Sequence, residues 1–247
     1  SIRIMADQFP DMLLGAGTVL TTEQADRAIA AGAKFIVSPG FNPKVVSHCI
    51  EKNIPITPGI SNPSDMEQAI EMGLDAVKFF PAVPSGGLSM IKALAAPYHT
   101  MRFMPTGGVT PQNLTEFLDY PKILACGGTW MVKPELLATG NFEEITRLTR
   151  QTVRTMLDLK IDELTLPFPH TGNNLSDVLH GLINLSSGST KELTISCRYL
   201  KRTIYHLEKN GATFRYDNAK YDSAGNMDAI DFSDAPEEFS IRLIEKH

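Results

Sequence analysis

The sequence predicts an α/β protein: a (β/α)8 TIM-type barrel lacking about its first two strands, followed by a small α+β domain. Three observations carry that expectation. Short apolar runs recur roughly every 20 residues between residues 13 and 157, the length of one strand-and-helix unit. Each run ends in Gly, Pro, Ser or Thr, and a capped amphipathic helix follows it. The pattern breaks after residue 157, which divides the chain into domains 1–157 and 158–247.

The chain opens on a helical stretch, Ile2 to Phe9, and begins with Ser1 rather than Met. That start leads us to expect an N-terminal piece ahead of it. The apolar runs are Leu13-Leu14, Phe35-Ile36-Val37, Ile54-Pro55-Ile56, Ala76-Val77, Phe103-Met104 and Ile123-Leu124-Ala125. Continuous rather than alternating apolar runs suit parallel strands buried on both faces. Thr21 with Gln24 and Ser64 with Glu67 fit capping boxes, in which side chains satisfy the free N–H groups of a helix start. Asn42-Pro43 and Thr110-Pro111 place a cap before a proline at the first helical position. Asn141 with Glu144 marks another start, and Gly32 and Gly73 stand where a helix end needs a left-handed residue. Alternating strands and helices argue for a parallel sheet. Equal spacing favours a barrel over a doubly wound sheet, and no GxGxxG follows an early strand. The runs number six, whereas a closed barrel has eight strands in about 200 residues or more.

Beyond residue 157 the sequence is first mixed, from Asp158 to Ser187, with Pro167, Pro169 and Asn173-Asn174. A compact run follows. Leu193 to Cys197 alternates as a strand. Tyr199 to Lys209 carries Leu200, Ile204 and Leu207 on one helical face, and Asn210-Gly211 ends that helix. Thr213 to Tyr216, Met227 to Phe232 and Phe239 to Ile244 read as strands, two of them joined by a turn at Asp222–Gly225.

Composition excludes several function classes. Hydrophobic residues make up 43% and charged residues 21%, as in an ordinary globular protein. The net charge of -5 speaks against nucleic-acid partners, which call for a basic face. No window is long and apolar enough to span a bilayer, so no membrane partner is expected. No signal peptide is visible. Cys49, Cys126 and Cys197 show neither metal spacing nor a disulfide framework, which leads us to expect a cytoplasmic setting and no metal.

Active sites of (β/α) barrels lie at the C-terminal strand ends. The unusual residues gather there: Gly15–Thr18, Ser38–Gly40, Thr57–Ser61, Lys78–Pro81, Pro105–Gly108 and Gly127–Thr129. Lys78 is the candidate nucleophile. Inside an apolar strand its ammonium form is disfavoured, and a neutral amine attacks ketones. The competing reading is an edge-strand lysine that snorkels to water. Lys34 and Lys122 begin strands at the opposite end, and Lys44, Lys52 and Lys92 lie on helices, so all five read as solvated. The paired glycines Gly107-Gly108 and Gly127-Gly128, with Thr129, offer backbone N–H groups to an anion or simply permit tight turns. Thr18, Pro39 and Phe80 either line a small ketone pocket or pack at the mouth. His48 reads as a surface residue, and nothing pairs His99 with a nucleophile.

Six stretches together resemble the 2-keto-3-deoxy-6-phosphogluconate (KDPG) / 4-hydroxy-2-oxoglutarate aldolase family: GAGTVLT (Gly15–Thr21), FIVSPGF (Phe35–Phe41), IPITPGISN (Ile54–Asn62), VKFFPAV (Val77–Val83), FMPTGGVT (Phe103–Thr110) and CGGTWMVK (Cys126–Lys133). The resemblance covers about residues 2 to 157 in order and spacing. It implies a trimeric barrel that cleaves a 2-keto-4-hydroxy acid to pyruvate and an aldehyde, without a cofactor. Lys78 then matches the Schiff-base lysine, and Thr18, Pro39 and Phe80 match the pyruvate site. Gly107, Gly108, Gly128 and Thr129 match the phosphate end. The family's acid/base glutamate belongs to a strand that precedes the region where this chain begins. The expectation is therefore an incomplete sequence or much reduced turnover, and the alternative is a non-catalytic binder of pyruvate or a sugar phosphate with a degenerate barrel. Residues 193 to 246 resemble one module of the vicinal-oxygen-chelate (glyoxalase/bleomycin-resistance-like) superfamily. Arg242 in its last strand and His206 on its helix leave it, on this reading, without a metal.

Overall fold

A parallel sheet needs a crossover between neighbouring strands, and the first unit supplies its crossovers as helices. The computed structural model describes residues 1–166, 184–187, 191–235 and 239–246. These fall into two units, Ser1–Ile145 and Thr146–His247.

In the first unit the elements run α1 (Ile2–Gln8), β1 (Gly15–Ala16), α2 (Thr22–Ala30), β2 (Phe35–Val37), α3 (Pro43–Glu51), β3 (Ile56–Thr57), β4 (Gly59–Ile60), α4 (Pro63–Glu71), β5 (Ala76–Phe79), α5 (Gly87–Ala95), β6 (Arg102–Pro105), α6 (Leu114–Leu118) and α7 (Pro134–Ala138). The helix α8 (Phe142–Leu157) carries the division between the units. Strands β1, β2 and β3 pair in parallel, as do β4, β5 and β6. Pro58 alone separates β3 from β4, so one bent segment pairs with β2 through its first half and with β5 through its second. Parallel bridges Phe103↔Ile123 and Thr106↔Gly127 add a sixth segment beside β6. Six parallel segments thus lie side by side in chain order.

Apolar burial explains the strands. Ile36, Val77, Phe79 and Phe103 are wholly buried, each contributing about 1.5–3 kcal/mol. Around β2, Ala25, Ala28, Val45, Val46 and Cys49 of α2 and α3 form one cluster with Ile36 and Ile56. The small alanines of α2 let that helix approach the sheet closely.

Most helix starts follow the sequence signals, with two corrections. Asn42 accepts from the Lys44 N–H at 3.1 Å and Asn141 from the Glu144 N–H at 3.2 Å. Thr21 accepts from the Gln24 N–H, while Gln24 reaches back to the Leu20 N–H at 2.7 Å. Gly32 and Gly73 are left-handed, with φ of 99° and 78°. The cap of α4, however, is Asn62 and not Ser64. Its Oδ1 accepts from the Asp65 N–H at 3.0 Å, and Pro63 takes the first helical position. Nor does a helix start at Thr110-Pro111. The Asn113 side chain accepts from the Thr110 N–H and donates to the Gly108 carbonyl, so a turn forms and α6 begins at Leu114.

The second unit is a mixed sheet in the order β10-β11-β12-β9-β7-β8, made of β7 (Lys160–Leu166), β8 (Asn184–Ser187), β9 (Lys191–Cys197), β10 (Phe214–Tyr221), β11 (Met227–Phe232) and β12 (Phe239–Glu245). Its helix α9 (Leu200–Glu208) buries Leu200 and Ile204 against Phe214, Ile230 and Leu243. The strands and helix expected from 193 to 244 are present, with β10 longer than expected. Strand β7 was not expected, because Lys160-Ile-Asp-Glu-Leu-Thr-Leu166 lacks an apolar run. It is held antiparallel to β9. Pro167, Pro169 and Asn173-Asn174 lie outside the described residues.

Candidate active site

Strand β5 is central in its sheet. Lys78 pairs in register with Gly59 of β4 on one side and Met104 of β6 on the other. Its N–H donates to the Pro58 carbonyl at 2.8 Å. That position settles the choice left open by the sequence: Lys78 is not on an edge, and it is 7% exposed. Among the described residues its Nζ has no carboxylate within ion-pair reach. It lies 4.4 Å from the centroid of the Phe80 ring instead. Burial holds its pKa below the ordinary lysine value, because a desolvated ammonium is disfavoured.

The neighbours of Lys78 are close-packed glycines. A β-carbon on Gly59 would stand 2.0 Å from the Pro39 carbonyl oxygen, so only glycine lets the Ser38–Gly40 loop lie over the strand beside Lys78. That loop is itself closed by the buried Ser38 hydroxyl, which donates to the Gly40 carbonyl at 2.8 Å. Ser38 and Gly59 lie in strand-end stretches that the sequence marked, but neither was given a role of its own. A Pro-Gly pair interrupting an apolar strand was the available signal.

The predicted anion residues show a consistent pattern. Gly107 and Gly108 are both left-handed, with φ of 93° and 84°. A β-carbon on Gly107 would meet the Phe80 ring at 3.2 Å, so Phe80 touches both the lysine and this loop. The loop is pinned through its carbonyls: Ala82 N–H donates to Thr106 O at 2.8 Å and Val83 N–H to Gly107 O at 3.0 Å. Gly127 N–H is spent on Pro105 O at 2.9 Å. Among the described residues, the amides of Gly107, Gly108, Gly128 and Thr129 donate to no backbone carbonyl. Those four are the residues the family resemblance matched, whereas Gly127, which the residue reading also offered to an anion, has its N–H committed within the fold.

The remaining candidates are placed less closely. Pro39 is half-buried above Gly59, while Thr18 is exposed at the far end of the row of strand ends, with Gly17 against Val37. Lys34, Lys44, Lys52 and Lys92 are exposed, as expected. Lys122 is instead half-buried and donates to the His99 carbonyl. His48 is paired with Asp26 at 2.9 Å. Glu23, Glu67 and Glu71 are exposed on α2 and α4, and Glu67 accepts from the Tyr98 hydroxyl. The thiols are poor nucleophiles: burial pushes Cys126 up to about 12 and Cys197 up to about 11. Among the described residues, no three His, Cys, Asp or Glu side chains stand together as metal ligands. No helix among them is long and apolar enough to cross a membrane.

The first unit is thus a parallel α/β assembly with a buried lysine that has no carboxylate partner among the described residues, and with loop amides at one edge of its sheet that donate to no backbone carbonyl among them. The family model "KDPG and KHG aldolase" matches residues 1–148, and the chain belongs to that family. It is 51% identical over 154 residues to the 2-dehydro-3-deoxy-phosphogluconate aldolase of Treponema pallidum, a match covering 62% of this chain and 73% of the relative. It is 39% identical over 153 residues to the KHG/KDPG aldolase of Escherichia coli, covering 62% and 72%. Among solved structures it is similar to the KDPG aldolase of Legionella pneumophila with pyruvate captured as a covalent carbinolamine. That likeness has a TM-score of 0.58 at 35% identity and covers 63% of this chain and 72% of the other. It is also similar to the 2-keto-3-deoxy-6-phosphogluconate aldolase of Zymomonas mobilis with 3-phosphoglycerate, with a TM-score of 0.55 at 38% identity, covering 61% and 70%.

Proposed function

We propose that the chain works as a class I aldolase that cleaves a 2-keto-4-hydroxy acid, KDPG or 4-hydroxy-2-oxoglutarate, to pyruvate and an aldehyde. The observation that carries this reading is Lys78, buried in a central strand with no carboxylate partner among the described residues. The neutral amine adds to the C2 carbonyl, and loss of water gives an iminium. As the C4 hydroxyl gives up its proton to water, the iminium accepts the electron pair of the breaking C3–C4 bond, releasing the aldehyde and leaving an enamine. Protonation at C3 and hydrolysis return pyruvate and the free amine.

In this reading Thr18, Pro39 and Phe80 border the pyruvate half, and Gly107, Gly108, Gly128 and Thr129 receive the phosphate through free amides. The covalent carbinolamine in the Legionella pneumophila enzyme and the 3-phosphoglycerate in the Zymomonas mobilis enzyme support the two halves. The aldolase names of the relatives favour catalysis over a binding-only role. The six parallel segments belong, on this proposal, to a (β/α)8 barrel in a cytoplasmic homotrimer. The β9-α9-β10-β11-β12 succession serves as a vicinal-oxygen-chelate-like module for binding or assembly. Supplying each substrate and following pyruvate release tests the activity. Release that stops with Lys78→Met supports the proposal, and release that survives it contradicts it.

A further inference from the structure

We infer that Trp130, the only tryptophan of the chain, is a positioning residue: its indole ring holds the Gly128-Thr129 span so that the amides there meet a phosphate. The inference rests on the proposed function and deepens its phosphate end.

Gly128 is not among the left-handed glycines, so its backbone conformation does not demand glycine. The ring does. A β-carbon on Gly128 would lie 1.6 Å from Trp130 Cζ3, 2.2 Å from Cε3 and 2.6 Å from Cη2. The indole therefore occupies the space of the missing side chain. The span is fixed at both ends. On one side the Gly127 N–H is bonded to Pro105 O at 2.9 Å, and a β-carbon there would meet Thr106 Oγ1 at 2.6 Å. On the other side Val132 N–H donates to Thr129 O at 3.1 Å, closing a turn that carries Trp130. Between these anchors the amides of Gly128 and Thr129 have no backbone acceptor among the described residues. A glycine-containing span without a packing partner has many conformations to lose when an anion binds. A rigid aromatic ring laid against it removes those conformations beforehand, and preorganisation of this kind raises affinity.

The test uses the full chain, glycerol 3-phosphate as probe and glycerol as control. Equilibrium dialysis measures the Kd, and borohydride trapping of pyruvate on Lys78 reports independently on the other half of the site. The tryptophan emission of the unmodified chain should change with glycerol 3-phosphate and not with glycerol. Trp130→Ala should weaken glycerol 3-phosphate binding at least tenfold, while Trp130→Phe, which keeps a ring, should stay within threefold. Both should trap pyruvate within twofold of the unmodified chain. Trp130→Ala binding as tightly as the unmodified chain overturns the inference. So does a parallel loss of trapping, which would make the ring merely structural. An unmodified chain that traps pyruvate but ignores glycerol 3-phosphate removes both this inference and the anion loop, and leaves the lysine reading standing.

Discussion

The two units each carry a basic side chain on a sheet strand, Lys78 buried and Arg242 half-buried, and they treat it in opposite ways. Arg242 of β12 is gripped by Asp231 at 2.8 Å and Glu192 at 3.0 Å, across neighbouring strands. The hydrogen bond to Asp231 holds its pKa above the ordinary arginine value. Lys78 of β5 is more deeply buried and has an aromatic face in place of carboxylates, and its pKa is held down. A paired cation is part of the scaffold. An unpaired one is a cost to folding that burial imposes, and such costs concentrate where chemistry is done. On the proposed function, the difference between the two sites, rather than burial itself, is what points to Lys78 as the reactive group.

Removing a partner from the paired site should have the largest effect. Asp231 is 7% exposed, and its loss leaves Arg242 with Glu192 alone. Asp231→Ala should cost about 2–4 kcal/mol in urea denaturation of the second unit. A cost near zero would show that the pairing does not hold the sheet. Next in size is Gly128→Ala, whose new methyl group must displace the Trp130 ring. Overpacking of this kind costs about 1–3 kcal/mol, visible as a shifted tryptophan emission and a lower Tm. In a Trp130→Ala background the cost should largely vanish, since the two residues share one space.

Lys78→Met should do the reverse and stabilise the chain by about 1 kcal/mol at neutral pH, because an unpaired buried charge is exchanged for an apolar group of similar length. The sign with pH follows from the lowered pKa. Between the folded-state value and the ordinary 10.5, the unfolded chain binds the proton that the folded chain refuses. Stability of the unmodified chain therefore rises with pH through that window. The advantage of Lys78→Met should shrink as pH climbs toward 10.5. The smallest effect concerns the thiols. At pH 7–8, alkylation of the folded chain should leave Cys126 and Cys197 unmodified, since burial raises both. Pyruvate trapping at Lys78 should then be unchanged.

Much of the first unit was legible because its signals are local. Apolar runs, Asn-Pro caps and left-handed glycines each depend on a few adjacent residues, and Asn42, Asn141, Gly32 and Gly73 stand as expected. At α4 the sequence reading named Ser64 as the cap, and the cap is Asn62, two residues earlier. Hydrogen-bond geometry decides such a choice, and spacing does not express it. At the site, the strand-end position of Lys78 was legible, while Gly107, Gly108, Gly128 and Thr129 were picked out by the family resemblance. Ser38, Gly59 and Trp130 lie in stretches that the sequence marked, but their particular roles depend on what lies across from them: the Gly40 carbonyl, the Pro39 carbonyl and the Gly128 backbone. Strand β7 was missed for the same reason. Its pairing with β9 is a long-range contact, and the charged residues within it hide the strand pattern.

The most direct measurement is borohydride reduction of the full chain in the presence of pyruvate, followed by peptide mapping. The account predicts a single three-carbon adduct on Lys78, absent without pyruvate and absent in Lys78→Met. An adduct on another lysine, or none on Lys78 in the folded chain, would contradict it.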